Sequence, residues 1–444
     1  MADKLNKEWR VVIIGAAGRD FHNFNTVYRG DPNVKVVAFT AAQIPGIADR
    51  KYPAELAGPG YAAGIPIVDE ANLEQLIRDE KIDEGVLSYS DLSYATVMHI
   101  GSRVMAAGAK FSMLGPVATM VKSTKPVIAV VAVRTGCGKS QTSRRVVEIL
   151  REAGKKVVSA RHPMPYGDLI KQKVQRYATL DDLKKYDCTI EEMEEYEPHI
   201  NMGSVIYAGV DYEAILRQAE QEADVIIWDG GNNDMSFYRP DFTITVADPF
   251  RPGHEIGFYP GEVNLRLADV VVINKVNSAP AAGVAEVEAN VRKFNPTAKI
   301  IKAASTLLVD DPAVIKGKRV LVVEDGPTLT HGGMKTGAGT EAAKLAGAAS
   351  LVDPRTFAVG TIKETFEKYP DVGVLLPAMG YGDEQVRDLE ETINATDCDA
   401  VVIGTPIDLG RFVKISKPST RVKYDLAEDA KAELKKIMKE RGLI

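Results

Sequence analysis

Near-continuous Val/Ile runs of strand length recur along this chain, separated by amphipathic stretches: Val11–Ile14, Val127–Val133, Val225–Trp228 and Val270–Ile273 are the clearest. Strands without polar alternation are buried on both faces, and the helices between them supply the cover. The pattern therefore predicts an α/β protein with mostly parallel sheets. Further strands are expected at Val34–Phe39, Gly85–Ser88 and Lys110–Leu114, with helices at Glu70–Glu80 and Leu92–Ala107. Gly115-Pro116 and Lys122-Ser-Thr-Lys-Pro126 then interrupt the rhythm, which places a boundary near residue 120. The pattern restarts with Val127–Val133 and a helix over Ser140–Ala153. Strands follow at Val157–Ala160, Val225–Asp229, Phe242–Val246, Val270–Asn274, Ile300–Ala303 and Arg319–Glu324. A last section adds Val372–Leu375, a helix over Asp383–Ile393, Ala400–Ile403, Thr420–Tyr424 and a helix from Ala427. The acidic stretch 180–198 reads as a solvated helical insertion.

Composition narrows the class. Lys and Arg number 55 against 61 Asp and Glu, a net charge of −6 with no basic block, which argues against nucleic acid or a membrane surface as partner. The three cysteines, Cys137, Cys188 and Cys398, form no CxxC pair and suit a reducing compartment. The charged N-terminal decapeptide has no signal-peptide core, and the apolar runs fall far short of the ~20 residues of a membrane helix. A cytoplasmic protein is expected.

The strongest chemical signal is Val133-Arg134-Thr135-Gly136-Cys137-Gly138-Lys139-Ser140-Gln141, between a strand and a helix. Gly136 and Gly138 let the backbone curl so that its N–H groups converge on phosphate oxygens at the positive end of the helix. Lys139 neutralises phosphate charge and the Ser140 hydroxyl completes a Mg²⁺ shell. Val133 stands where the usual G-x-x-x-x-G-K-[ST] pattern has its first glycine. Cys137 is read as a small filler. About 90 residues on, Val225-Ile-Ile-Trp-Asp229 ends an apolar strand in a carboxylate placed to hold Mg²⁺ opposite Ser140, and Gly230-Gly231 with Asn232, Asn233 and Asp234 form a switch-like turn. Asn274-Lys275-Val276-Asn277 resembles the guanine-reading N-K-x-D motif, but the Asn277 amide cannot copy a carboxylate's paired acceptance, so ATP and GTP both stay open. These motifs assign a Rossmann-like domain to residues 1–120, a P-loop NTPase domain to 121–310 and an α/β extension to 311–444. In the first domain, Gly15-Ala-Ala-Gly18 fails the dinucleotide fingerprint. An anion at Gly15–Arg19, helped by Arg19 and His22, and an empty turn are the readings left there. The Gly-rich segment Thr328–Gly339 with Lys335 is a lid or a connector.

The phosphate loop also resembles the deviant P-loops of the SIMIBI NTPases. That resemblance implies a dimer in which Arg134 either reaches the partner's phosphates or stays within its own subunit. Arg161-His-Pro-Met-Pro-Tyr-Gly-Asp168, Trp228-Asp-Gly-Gly-Asn-Asn-Asp234, Ala247-Asp-Pro-Phe-Arg-Pro-Gly-His254, Tyr259-Pro-Gly-Glu262 and Gly404-Thr-Pro-Ile-Asp-Leu-Gly-Arg411 resemble the cyclic 2,3-diphosphoglycerate synthetase family. The resemblance implies a dimeric ATP- and Mg²⁺-dependent ligase that closes a phosphorylated small molecule into an intramolecular phosphoanhydride and releases ADP and phosphate. In that reading Arg161, His162, Arg251 and His254 gather the anionic substrate, and Asp168 orients a nucleophile or touches Mg²⁺ through water. The competing reading is a regulatory or metallochaperone-like GTPase or ATPase switch.

Overall fold

The Val/Ile runs form the strands, and the central ones are buried from end to end: Val127–Ala132, Val225–Asp229, Phe242–Ala247 and Val270–Ile273. The structure is a computed structural model of the chain and describes residues 8–15, 18–42, 50–162, 164, 167–231, 233–330, 334–379 and 382–444. Asn232 and part of the Gly-rich segment Thr328–Gly339 lie outside these residues. The architecture is α/β with mostly parallel sheets.

The first sheet has six strands in the order Lys51–Tyr52, Ile65–Asp69, Val34–Ala41, Trp9–Ile14, Glu84–Leu87, Lys110–Met113. Only Lys51–Tyr52 is antiparallel to its neighbour. The second has eight strands: Gln175–Tyr177, Val205–Ala208, Val157–Arg161, Val225–Asp229, Val127–Ala132, Phe242–Ala247, Val270–Ile273 and Lys299–Lys302. Again one edge strand, Gln175–Tyr177, runs antiparallel. The third sheet is built around Arg319–Asp325 and Ala400–Ile403, with Ser305–Val309 and Ser419–Leu426 on one side and Ser350–Leu351 and Leu376–Ala378 on Arg319–Asp325. The strand there is Leu376–Ala378 rather than Val372–Leu375, a shift of a few residues along one apolar run.

Helices cover the eight-stranded sheet on both faces. Lys139–Glu152 and Ala281–Phe294 bury Val146, Val147, Leu150, Val287 and Val291 on one side, and Tyr212–Glu222 buries Tyr212, Ile215 and Leu216 on the other. The last helix, Glu428–Glu440, packs Leu434, Ile437 and Met438 into the first of these cores, so the chain ends against the sheet that carries the phosphate loop. Each such side chain contributes about 1.5–3 kcal/mol by leaving water. Lys431 adds ion pairs to Glu148 (3.0 Å) and Glu152 (2.8 Å).

Two departures from the sequence reading matter for the site. The helix expected from Leu92 starts at Tyr94. Leu92–Ser93 instead pairs antiparallel with Phe258–Tyr259, tying the first unit to the second. The acidic stretch is helical, over Leu180–Lys185 and Ile190–Asn201, but it is not solvated: Glu192, Glu194 and Glu197 are all buried. Ile190, Tyr196 and Ile200 anchor the second helix in apolar clusters, and that forces its carboxylates against the neighbouring units.

Candidate nucleotide-binding site

In a parallel sheet every strand delivers its C-terminal end to the same edge, where open α/β folds bind ligands. Here that edge gathers the phosphate loop after Ala132, Arg161, Asp229, Asp248 and Asn274.

The loop has the backbone a phosphate cradle needs. Gly136 and Gly138 have φ of +79° and +100°, in the left-handed region. A Cβ on Gly138 would also stand 2.0 Å from Asn274 Nδ2, so glycine is required twice over. Val133 needs no such freedom. It continues the strand, donating its N–H to Val246 O at 3.0 Å and accepting from Asn233 Nδ2 at 3.0 Å. That explains why the missing first glycine leaves the loop intact.

Lys139 opens the helix and is buried. Its Nζ donates to Asp229 Oδ1 at 2.6 Å. Asp229 also accepts from Ser143 Oγ (2.8 Å) and faces His199 Nε2 (3.1 Å) and Arg161 Nη1 (3.3 Å). Burial opposes the charge on Asp229, but Lys139 and Arg161 outweigh it and hold the carboxyl well below its usual range. Burial, with Arg161 beside it, pulls Lys139 below its ordinary value. Arg161 is itself buried and pairs with Glu195, yet its Nε and Nη1 make no hydrogen bond. The Thr135 hydroxyl is likewise buried without a partner. Two cationic side chains and an unsatisfied hydroxyl around a curled loop are the donor set for a polyphosphate.

Ser140 Oγ lies 3.4 Å from Glu195 Oε2. With Asp229, these are hard oxygen donors of the kind Mg²⁺ takes, together with phosphate oxygens. Among the described residues no three His, Cys, Asp or Glu side chains form a metal site by themselves.

The motif Asn274-Lys275 props the loop from behind. Asn274 Nδ2 donates to Cys137 O (2.9 Å), and Lys275 Nζ donates to Gly136 O (2.6 Å) and Asp248 Oδ2 (2.9 Å). Asn277 exchanges two hydrogen bonds with the Ser305 backbone, at 2.9 and 3.2 Å. Gln141 accepts from Ser305 Oγ at 3.2 Å. Cys137 is fully buried, and burial pushes its thiol up to about 11. A thiol-specific alkylating agent is therefore expected to leave Cys137 unmodified in the native protein at neutral pH and to label it after denaturation, as peptide mass spectrometry would show.

The other candidate residues are engaged within the chain. Arg134 donates from Nε to Asp91 Oδ1 and from Nη1 to His254 Nδ1, both at 2.6 Å, and lies 3.7 Å over the Phe258 ring. Burial, then Arg134, pulls His254 down to about 4, so it is a neutral acceptor. Arg251 donates to Thr135 O (2.8 Å) and Asp248 Oδ2 (2.9 Å), bracing the loop. His162 faces Asp234 Oδ2 at 3.1 Å. Asp168 is exposed and caps a turn, accepting from the N–H groups of Ile170 (2.9 Å) and Lys171 (3.3 Å). In the first unit Arg19 pairs with the Asp234 carboxylate, and burial lowers His22 to about 3. The sequence reading missed Glu195, His199, Asp91 and Asp248. Glu195 and His199 sit four apart on one helix face, and a lone histidine in a glutamate run was the one available signal.

No family model matches the chain. A curated protein of Thermococcus kodakarensis, the arginine synthetase ArcE, is 60% identical over 440 residues, which span 99% of this chain and 98% of that protein. Among solved structures, LpxK from Aquifex aeolicus in complex with ATP aligns with a TM-score of 0.43 and 13% identity, covering 73% of this chain and 90% of that one. Cobyrinic acid a,c-diamide synthase from Mycobacterium smegmatis, with a bound ATP analogue and magnesium, aligns with a TM-score of 0.18 and 15% identity, covering 41% and 72%. The full-length relative corrects the resemblance drawn from short motifs: the chain is not placed with the cyclic 2,3-diphosphoglycerate synthetases.

Proposed function

This chain belongs to the family of the arginine synthetase ArcE, and on that footing we propose that it couples hydrolysis of ATP, with Mg²⁺, to the synthesis of arginine. The observation that carries this reading is the pairing of that full-length relationship with a formed phosphate cradle, in which Lys139 and Arg161 converge on Asp229.

The chemistry follows from the product. A guanidinium carbon bears three nitrogens, whereas its ureido counterpart bears two nitrogens and an oxygen. Exchanging that oxygen for nitrogen needs a better leaving group than hydroxide. Transfer of the γ-phosphoryl group to the ureido oxygen of citrulline releases ADP. Ammonia then forms the new C–N bond, and the C–O bond breaks with phosphate departing. Citrulline, ammonia and ATP thus balance arginine, ADP and phosphate. Lys139 and the loop N–H groups hold the polyphosphate, and Arg161 stabilises charge on the transferred group. Ser140, Asp229 and Glu195 would hold Mg²⁺, which screens phosphate charge when bound. Arg134, Arg251, Asn274 and Lys275 position the loop.

The test is a product assay. ADP and phosphate should appear in step with arginine only when ATP, Mg²⁺, citrulline and ammonium are all present. Formation of AMP, or turnover with 2,3-diphosphoglycerate in place of citrulline, would overturn the reading. GTP in a parallel arm fixes the base.

A further inference from the structure

We propose that Glu194 and Asp325, which meet where the helix Ile190–Asn201 abuts the C-terminal sheet, bind the guanidinium end of arginine beside the transferred phosphoryl group. This deepens the arginine reading above and rests on it.

Three of the five carboxylates of this helix have partners within the chain that are close at hand. Glu192 caps the helix through Thr189, accepting from its N–H at 2.8 Å. Glu195 pairs with Arg161 and faces Ser140. Glu197 accepts from Arg411 Nη1 at 2.8 Å. Glu194 is only 5% exposed, is in no ion pair among the described residues, and its Oε1 makes no hydrogen bond. Asp325, at the end of the strand Arg319–Asp325, lies within hydrogen-bonding reach of it. The adjacent Glu324 is also buried but satisfied, by the N–H groups of Gly339 and Thr340 and the Thr340 hydroxyl.

A buried carboxyl with an idle oxygen costs stability that packing does not return. A guanidinium presents paired N–H donors in a plane, which suits two carboxyl groups side by side. The location fits the chemistry. Glu194 and Glu195 are consecutive, and Glu195 Oε2 is 3.4 Å from the Ser140 hydroxyl of the phosphate loop. The reacting carbon of the substrate has to meet the γ-phosphate that this loop holds. A neutral ureido group becomes a cation during the reaction, so two carboxylates at this point also favour the transition state.

Calorimetric titration of arginine into the protein holding ADP, for wild type, Glu194→Gln and Asp325→Asn, tests the assignment. Arginine should bind about 10- to 100-fold more weakly to each variant. ADP affinity, measured in the same samples, should stay within about twofold and serves as the control for folding. Steady-state rates should show a lower kcat for Glu194→Gln with the KM for ATP unmoved, which a merely structural role would not separate. Equal arginine affinity in wild type and both variants would overturn this site alone. A wild-type protein that takes up no arginine would overturn the site and the arginine reading together.

Discussion

Replacing Lys139 by alanine is expected to lower the rate of nucleotide turnover by about 10³-fold, or roughly 4 kcal/mol of transition-state stabilisation. In the free protein the ammonium is held by Asp229 at 2.6 Å inside a site closed to solvent. A polyphosphate entering the loop brings several negative charges to the same place, and Lys139 exchanges one anionic partner for another without moving into water. Alanine removes that cation at the point where charge shifts in the transition state. The fold is expected to survive, because Asp229 keeps Arg161, Ser143 and His199 as partners. A thermal melt lowered only modestly, beside activity lost, would separate a chemical role from a structural one. Lys139→Arg should not rescue, since a planar fork cannot replace a compact ammonium in a buried slot. Unchanged turnover in Lys139→Ala would remove the phosphate loop from the reaction.

What could be read before the structure follows from where the information is stored. Strands buried on both faces carry their own signature, so Val127–Ala132 and Val225–Asp229 were legible within a residue of their ends. The phosphate loop was legible because its needs are local: two glycines at positive φ, a lysine and a serine at fixed offsets. Partners far apart in sequence were not. The acidic helix reads as solvated until Ile190, Tyr196 and Ile200 are seen in apolar clusters that press Glu194, Glu195 and Glu197 inward. Arg134 and His254 were legible as site residues by position, but that they face each other, and that Asp91 from the first unit holds Arg134, depends on the docking of two units. The family was read wrongly for a related reason. Strand-end motifs report phosphate chemistry, which many enzymes share. The residues proposed to discriminate the substrate, Glu194 and Asp325, lie in segments with no motif.

That docking supplies the second large effect. Arg19→Leu is expected to cost about 3–5 kcal/mol at neutral pH. Arg19 donates from Nε to Asp234 Oδ1 (2.8 Å) and from Nη2 to Met235 O (2.5 Å), and its guanidinium lies 4.4 Å over Phe237. Leucine keeps part of the apolar packing but leaves the Asp234 carboxylate buried, with His162 as its one remaining ionisable partner among the described residues. The pH dependence has a definite sign. Burial opposes ionisation of Asp234, but Arg19 outweighs it and holds the carboxyl below its usual range. A depressed carboxylate contributes stability above its unfolded value, about 3.9 for aspartate, and loses it as pH falls through the folded value. The gap between wild type and Arg19→Leu in denaturant melts should therefore hold steady through neutral pH and narrow below about pH 4. Adding Asp234→Asn to Arg19→Leu should recover part of the loss, because the stranded charge is gone. A double variant no more stable than Arg19→Leu would mean that packing against Phe237, and not the ion pair, joins the first unit to the switch-like turn beside the nucleotide.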